Sequence, residues 1–433
     1  MYLNSLPLSA YISDIESGKK KLSEYIDLIC DRIEKAEMDI KSLIPERNRR
    51  ERLQKEILEL EKKFPDLKTR PALYGVPIGV KDIFKTDGFE THAGSRLPAS
   101  CFEGQEAEVV SRLKKAGALI LGKTVTTEFA FFEPGPTCNP HNLTHTPGGS
   151  SSGSAAAVAC GFTPLALGSQ TIGSLGRPAS YCGVFGFKPS FGRISTRGVV
   201  PFSTDADHIG FFTQDLDGLQ IAAEILLENW KHKTEQINPK PVIGIPTGKY
   251  LLQADTEMQN AMNKVIDKLK QKGFEIKMFD IFDDIEKINA THRAMVAVGF
   301  YKVHRAWYTQ YGDLYSRHSV KLFEEGMQTN SFIYNEALKG REELRNYLKT
   351  YSVKENIDVW MSPSAMGAAP EGLDSTGSPL MNLPWTYAGV PTITAPLAKN
   401  EQGMPLGIQF SGLFNCDEKL FGNLQQIIEN IHV

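Results

Sequence analysis

From Tyr74 onward, short apolar runs alternate with amphipathic stretches, and this alternation constrains the fold more than any other feature of the chain. Runs such as YGVPIGVKDIF and AGALILGKT have the length of strands, while EAEVVSRLKKAG and PFSTDADHIGFFTQDLDGLQIAAEILLENW read as helices between them. Such alternation stacks helices on a sheet, so the expected class is α/β. PKPVIGIP reads as a further strand start. DTEMQNAMNKVIDKLKQKGFEIKMFD reads as a helix ending at Gly273 followed by a strand. Residues 283–353 read as mostly helical and rich in aromatics. Strands are expected at Ile357–Met361, Thr392–Pro396 and Leu406–Phe410, and a closing helix from Asp417. The 433 residues suit two to three domains or one large α/β domain. No internal repeat occurs, and no linker is long enough to separate domains.

Before Tyr74 the texture is helical. Leu22, Ile26, Ile29 and Ile33 keep helical spacing, and ERNRRERLQKEILELEKKF follows as a stretch of mixed sign, which reads as a solvated helical face rather than a partner-binding tail. The 48 Lys and Arg against 51 Asp and Glu leave a formal charge of -3. Without a basic cluster, nucleic acid is not expected as a direct ligand, because phosphates demand grouped cations. The apolar run Ala155–Leu167 is short and broken by Gly161, Thr163 and Pro164, so no membrane helix is expected. The N-terminus lacks the pattern of a secretory signal, which points to a cytoplasmic protein. Six scattered cysteines form no CxxC pair and read as reduced thiols without a zinc site.

Two motif matches fail on context. Gly117 to Thr124 satisfies GxxxxGK[ST], but its variable positions are apolar and belong to a buried strand, where a phosphate cradle needs loop residues. Gly149 to Gly153 satisfies GxSxG with Ser151 as nucleophile, but polar turn formers (NPHNLTHTPG) stand where the elbow needs an apolar strand. Nothing singles out His208, His292 or His304 as the histidine of a triad.

A third constellation joins two Gly/Ser loops to one lysine. PGGSSSGS, from Pro147 to Ser154, opens an alanine-rich helix and would present free backbone N–H groups. GSQTIGS, from Gly168 to Ser174, follows a short apolar run. Lys81 ends the apolar run YGVPIGV, so a buried lysine is expected, and buried lysines usually have a task.

In that order GVPIGVKD, GGSSSGSAAAVACG, GSQTIGS and RPASYCGVFGFKPSFGRIS resemble the amidase signature family. The N-terminal SAYISDIESGKKKLSEYIDLICDRIE is similar to the family's leading helices, and WMSPSAMGAAPEG, NLPWTYAGVPTITAPLA and GMPLGIQFSG to its closing strands. The resemblance implies one α/β domain over residues 1–433, a mixed central sheet covered by helices, with 1–70 and 283–353 as helical parts of it. It also implies a Ser-cisSer-Lys triad: Ser174 as nucleophile, Ser150 as the bridging cis serine and Lys81 as base. The backbone N–H groups of Thr171, Ile172, Gly173 and Ser174 would form the oxyanion hole, and the reaction needs neither cofactor nor metal.

The chemistry is coherent. A serine needs a base, and a lysine of ordinary pKa, about 10.4, is protonated at neutral pH, so it must be desolvated to serve. The implied activity is hydrolysis of a small linear amide through an acyl-enzyme. The alternatives are the A subunit of a glutamine-dependent tRNA amidotransferase, which needs a partner, and a weakly active family member. A homodimer is compatible with all of these. Ser151, Phe131 and Phe132 are expected at the substrate pocket, with the aromatic stretch around Phe300, Tyr301 and Trp307. The chain departs from the family's GTDTGGSIR: Gln170 replaces an acidic residue, Ile172 a glycine and Gly176 an arginine, with Arg177 one place along. Ser152 also replaces a glycine in the first loop.

Overall fold

The computed structural model describes residues 2–231 and 237–431. Every residue of β1 (Pro77–Lys81), β2 (Leu119–Thr124) and β3 (Leu165–Gln170) is buried. That is why these segments are continuous apolar runs rather than alternating ones: both faces of the sheet are covered. The remaining strands are β4 (Phe185–Lys188), β5 (His208–Thr213), β6 (Ile243–Pro246), β7 (Ile276–Phe279), β8 (Val359–Pro363), β9 (Thr392–Lys399) and β10 (Pro405–Ser411). All ten form one sheet in the order β2-β1-β3-β5-β4-β9-β10-β8-β6-β7. Strand β1 runs parallel to β2 and β3, and β6 parallel to β7 and β8. The five pairings between these two parallel ends are antiparallel. The chain is therefore a single α/β domain around a large mixed sheet.

Helices α1 (Leu8–Glu16), α2 (Leu22–Ile40) and α3 (Arg49–Lys63) form the N-terminal arm. Leu22, Ile26, Ile29 and Ile33 are buried on one side of α2, as their spacing predicts. The charged α3 buries only Arg49, Leu53 and Ile57, and Arg50 reaches Asp27, Asp31 and Glu34 of α2. Helix α4 (Glu108–Lys115) is followed by α5 (Ser152–Ala159), α6 (Gly176–Cys182) and α7 (Leu216–Leu226). All of α5 is buried, against β1, β2, β3, β5 and α6. Its alanines follow from that place, since a helix enclosed on all sides has no room for larger side chains. The short α8 (Gly248–Leu251) and the long α9 (Thr256–Gln271) precede the helical region made of α10 (Ile285–Tyr311), α11 (Arg317–Gln328) and α12 (Ser331–Lys354). Then come α13 (Leu383–Ala388) and the closing α14 (Asp417–Ile431).

One sequence expectation is corrected. The stretch from Pro201 to Trp230 is not one helix, because His208–Thr213 is strand β5, and only Leu216–Leu226 is helical. Ile209, Phe211 and Phe212 are all fully buried, with β3 and β4 bonded on either edge. A run buried on both faces carries no alternation to distinguish it from a helix.

Gly117 to Thr124 lies on β2 and the turn before it. Its Lys123 is buried, 2.9 Å from Asp82, and also donates to Phe84 O and Thr91 Oγ1. Among the described residues, no helix is long and apolar enough to cross a membrane.

Candidate active site

Lys81 is the last residue of β1 and is fully buried. Its Nζ lies 2.7 Å from Ser150 Oγ, 2.8 Å from Ser169 Oγ and 3.0 Å from Ser151 Oγ. Burial holds its pKa well below the ordinary lysine value, and the carboxylate of Asp207 opposes that shift. The hydroxyl protons can be assigned in part. Ser151 Oγ donates to Ser169 O (3.3 Å), so its proton is committed, and it accepts from Lys81. A neutral amine has two protons and one lone pair, which leaves Ser150 and Ser169 to take the second N–H and to fill the lone pair.

The loop that carries Ser150 is placed from below and above. Gly168 on β3 has no room for a side chain: a Cβ there would lie 2.9 Å from Ser151 Oγ and 2.8 Å from Leu175 Cδ2. The Gly149–Ser150 peptide bond is cis. From above, Arg177 on α6, which is buried, donates through Nη2 to Gly149 O and through Nη1 to Gly377 O, each at 2.6 Å. Burial without a carboxylate partner lowers its pKa to about 10, so it stays charged at neutral pH.

Ser174 sits in the turn between β3 and α6, 7% exposed. Its hydroxyl is not hydrogen-bonded to Ser150 or to any other described residue. The backbone N–H groups of Thr171, Ile172, Gly173 and Ser174 likewise have no partner among the described residues. Four consecutive free donors beside a serine are what an oxyanion in such a turn would require. Gln170 holds this turn: its Oε1 accepts from the N–H groups of Leu175 (2.7 Å) and Gly176 (2.9 Å), and its Nε2 donates to Thr386 Oγ1 (2.8 Å). Thr386 Oγ1 in turn lies 2.7 Å from Ile172 O. An amide at position 170 therefore caps the turn as a carboxylate would, and adds a donor. Gly173 is needed for close approach, since a Cβ would meet Asn382 Oδ1 at 2.6 Å. Ile172 is partly buried, its side chain against the core.

The structure thus brings Lys81 and Ser150 into contact and sets Ser174 at the mouth of the turn. Ser151 is fully buried behind the lysine. Phe131 belongs to an aromatic cluster with Phe202 and Phe300, at ring distances of 5.4 and 6.3 Å, and Trp307 packs against Phe102 at 5.3 Å. Phe132 is partly buried and lies beside Arg177, 5.9 Å from its guanidinium carbon. Four contributors escaped the sequence reading: Ser169, Asp207, His292 and Thr386. Ser169 stands inside GSQTIGS, where strand alternation places it two residues from Leu167 and on the same face. The other three reach the loop only through tertiary contacts. Among the described residues, no group of three or more His, Cys, Asp or Glu is placed to hold a metal ion.

Comparison with known proteins places the chain. Residues 24–421 match the family model described as Amidase. The A subunit of glutamyl-tRNA(Gln) amidotransferase from a Nitratiruptor species is 31% identical over 391 residues, covering 80% of this chain and 88% of that protein. Its namesake from Sulfolobus acidocaldarius is 29% identical and covers 97% of each chain. A solved amidase structure superposes with a TM-score of 0.88 at 28% identity, covering 98% of this chain and 99% of the other. With its mixed ten-stranded sheet and its match over nearly the whole length, this chain belongs to the amidase signature family and is a hydrolase of carbon–nitrogen bonds.

Proposed function

We propose that the chain hydrolyses a small linear carboxamide through an acyl-enzyme on Ser174, with Lys81 as base and Ser150 as relay. The observation that carries the reading is the Lys81–Ser150 contact of 2.7 Å in a buried, hydroxyl-lined site. Lys81 takes the Ser150 proton while Ser150 takes that of Ser174. The Ser174 oxygen then bonds the carbonyl carbon, whose π pair moves onto oxygen against the N–H groups of Thr171, Ile172, Gly173 and Ser174. The tetrahedral intermediate collapses, the proton returns through Ser150 to the leaving nitrogen, and ammonia or an amine departs. Water then attacks the ester by the same relay, releasing the carboxylate and restoring Ser174.

No chemistry in this scheme calls for a cofactor, and we place it in the cytoplasm without direct contact to nucleic acid. The test is a panel of aliphatic and aromatic amides with ammonia detection, run on the purified single chain and on Ser174→Ala. Turnover by the former and none by the latter supports the reading. Equal turnover by both overturns it.

The curated relatives favour a second reading, in which the chain is the A component of an amidotransferase and works with a partner. The same assay separates the two: a single chain that turns over amides unaided is an amidase, whereas glutamine hydrolysis that needs a partner protein marks the amidotransferase component.

A further inference from the structure

Thr171 opens the run of four unpaired N–H groups and is held from two sides. Its Oγ1 donates to Asp207 Oδ1 at 2.5 Å, and its carbonyl oxygen lies 3.0 Å from His292 Nε2 on α10. The second oxygen of Asp207 accepts from the N–H groups of Phe202 (2.8 Å) and Ser203 (3.0 Å). The carboxylate is thus fixed in orientation by three donors, none of them charged. It borders a cavity of about 10 Å³ that is also lined by Thr171 and by Ser169, whose Oγ is in contact with Lys81 Nζ.

The other chargeable groups around the lysine are otherwise engaged. Asp82 follows Lys81, points to the opposite face of the strand and pairs with Lys123. Arg177 is taken up by two carbonyls. His208 faces the carbonyls of Gln170 and Ala206, and burial keeps both His208 and His292 neutral. Burial raises the Asp207 carboxyl to about 6, so it is ionised at neutral pH and is the anion left to face the site.

We infer that Asp207 is a positioning residue of this centre, anchoring the oxyanion loop through Thr171 and supplying the negative charge that stabilises the Lys81 ammonium formed during attack. The inference rests on the proposed roles of Lys81 and Ser174. In the acylation step one proton moves onto Lys81, so the site gains an ammonium and an oxyanion together. The loop that binds the oxyanion and the anion that faces the ammonium meet in the single Thr171–Asp207 hydrogen bond.

The test needs no known substrate: the rate of Ser174 labelling by an alkyl fluorophosphonate is measured against pH. Asp207→Asn should move the midpoint down by about one pH unit, because loss of an anion makes Lys81 less basic, and should lower the plateau about tenfold. Asp207→Glu, which keeps the charge, should hold the midpoint near wild type. Thr171→Val should lower the plateau and leave the midpoint in place. A merely structural Asp207 would lower the plateau without moving the midpoint, and that result overturns the inference. Asp207→Ser is a second neutral variant, and failure of both neutral variants to fold also counts against it, as Asp207 would then be a folding element. Labelling that survives in Ser174→Ala or Lys81→Ala sinks the proposed function instead, whatever Asp207 does.

Discussion

Arg177 Nη2 lies 2.6 Å from the carbonyl oxygen of Gly149, so a buried guanidinium grips the chain one residue before Ser150. The second arm of the same side chain holds Gly377 O, which ties the Ser150 loop to the segment between β8 and α13. Arg177→Met should leave the buried Gly149 carbonyl and the partly buried Gly377 carbonyl without this donor, at about 1–3 kcal/mol for the buried one. A fall in Tm of several degrees is expected, with at least a tenfold loss of amide turnover. Arg177→Lys, which can satisfy only one carbonyl at a time, should fall between. Wild-type Tm and rate in Arg177→Met would show that the clamp does nothing.

The two serine loops give opposed expectations. Ser174→Ala should abolish labelling by a fluorophosphonate, because the hydroxyl beside the free N–H groups is gone. Ser151→Ala removes one of three hydroxyls around Lys81 and should only slow it. Mass spectrometry of the labelled peptide decides. A label on Ser151, with Ser174→Ala still reactive, would reassign the nucleophile.

The acid limb of kcat/KM should rise with pH along one ionisation whose midpoint lies well below the ordinary lysine value, since burial disfavours the Lys81 ammonium. Lys81→Ala should lose most of the rate, and Lys81→Arg should be no better, because a guanidinium stays protonated. Near wild-type rates in either variant would remove the lysine from the mechanism.

Stability carries the same signature. The folded pKa of Lys81 is depressed while the unfolded chain keeps about 10.4, so between these values the unfolded state binds the extra proton. Stability should therefore rise with pH through that window and level off above it. Relative to the neutral Lys81→Met, wild-type Tm should gain as pH increases from the folded midpoint toward about 10.4. Parallel Tm profiles for the two proteins would show that Lys81 is not neutral when folded.

Gln170 caps the turn and also feeds Thr386. Gln170→Leu leaves the N–H groups of Leu175 and Gly176 unpaired and should cost about 2–4 kcal/mol by urea unfolding. Gln170→Glu keeps both acceptors and loses the donor to Thr386, so stability should hold while turnover falls several-fold. Equal stability of Gln170→Leu and wild type would show that the turn does not depend on the cap.

What the amino-acid order alone determined is local. The runs ending in Lys81 and in Thr124 are strands because they are short, apolar and bounded by turn residues, and SGSAAAVA is an enclosed helix because it has almost no side chains. The order of the motifs also identified the family, and with it the expected roles of Lys81, Ser150 and Ser174. The run HIGFF reads as helix from sequence because, in a segment buried on both faces, periodicity vanishes and only the neighbouring strands define it. The partners of the Gly168–Ser174 loop could not be read at all. Asp207 lies 36 residues from Thr171, and His292 lies 121. They meet because β5 pairs with β3 in the register Gln170 to His208 and because α10 carries His292 Nε2 to within 3.0 Å of Thr171 O. Strand order and helix placement are decided by which faces bury together across the whole chain, and no local pattern encodes that sum.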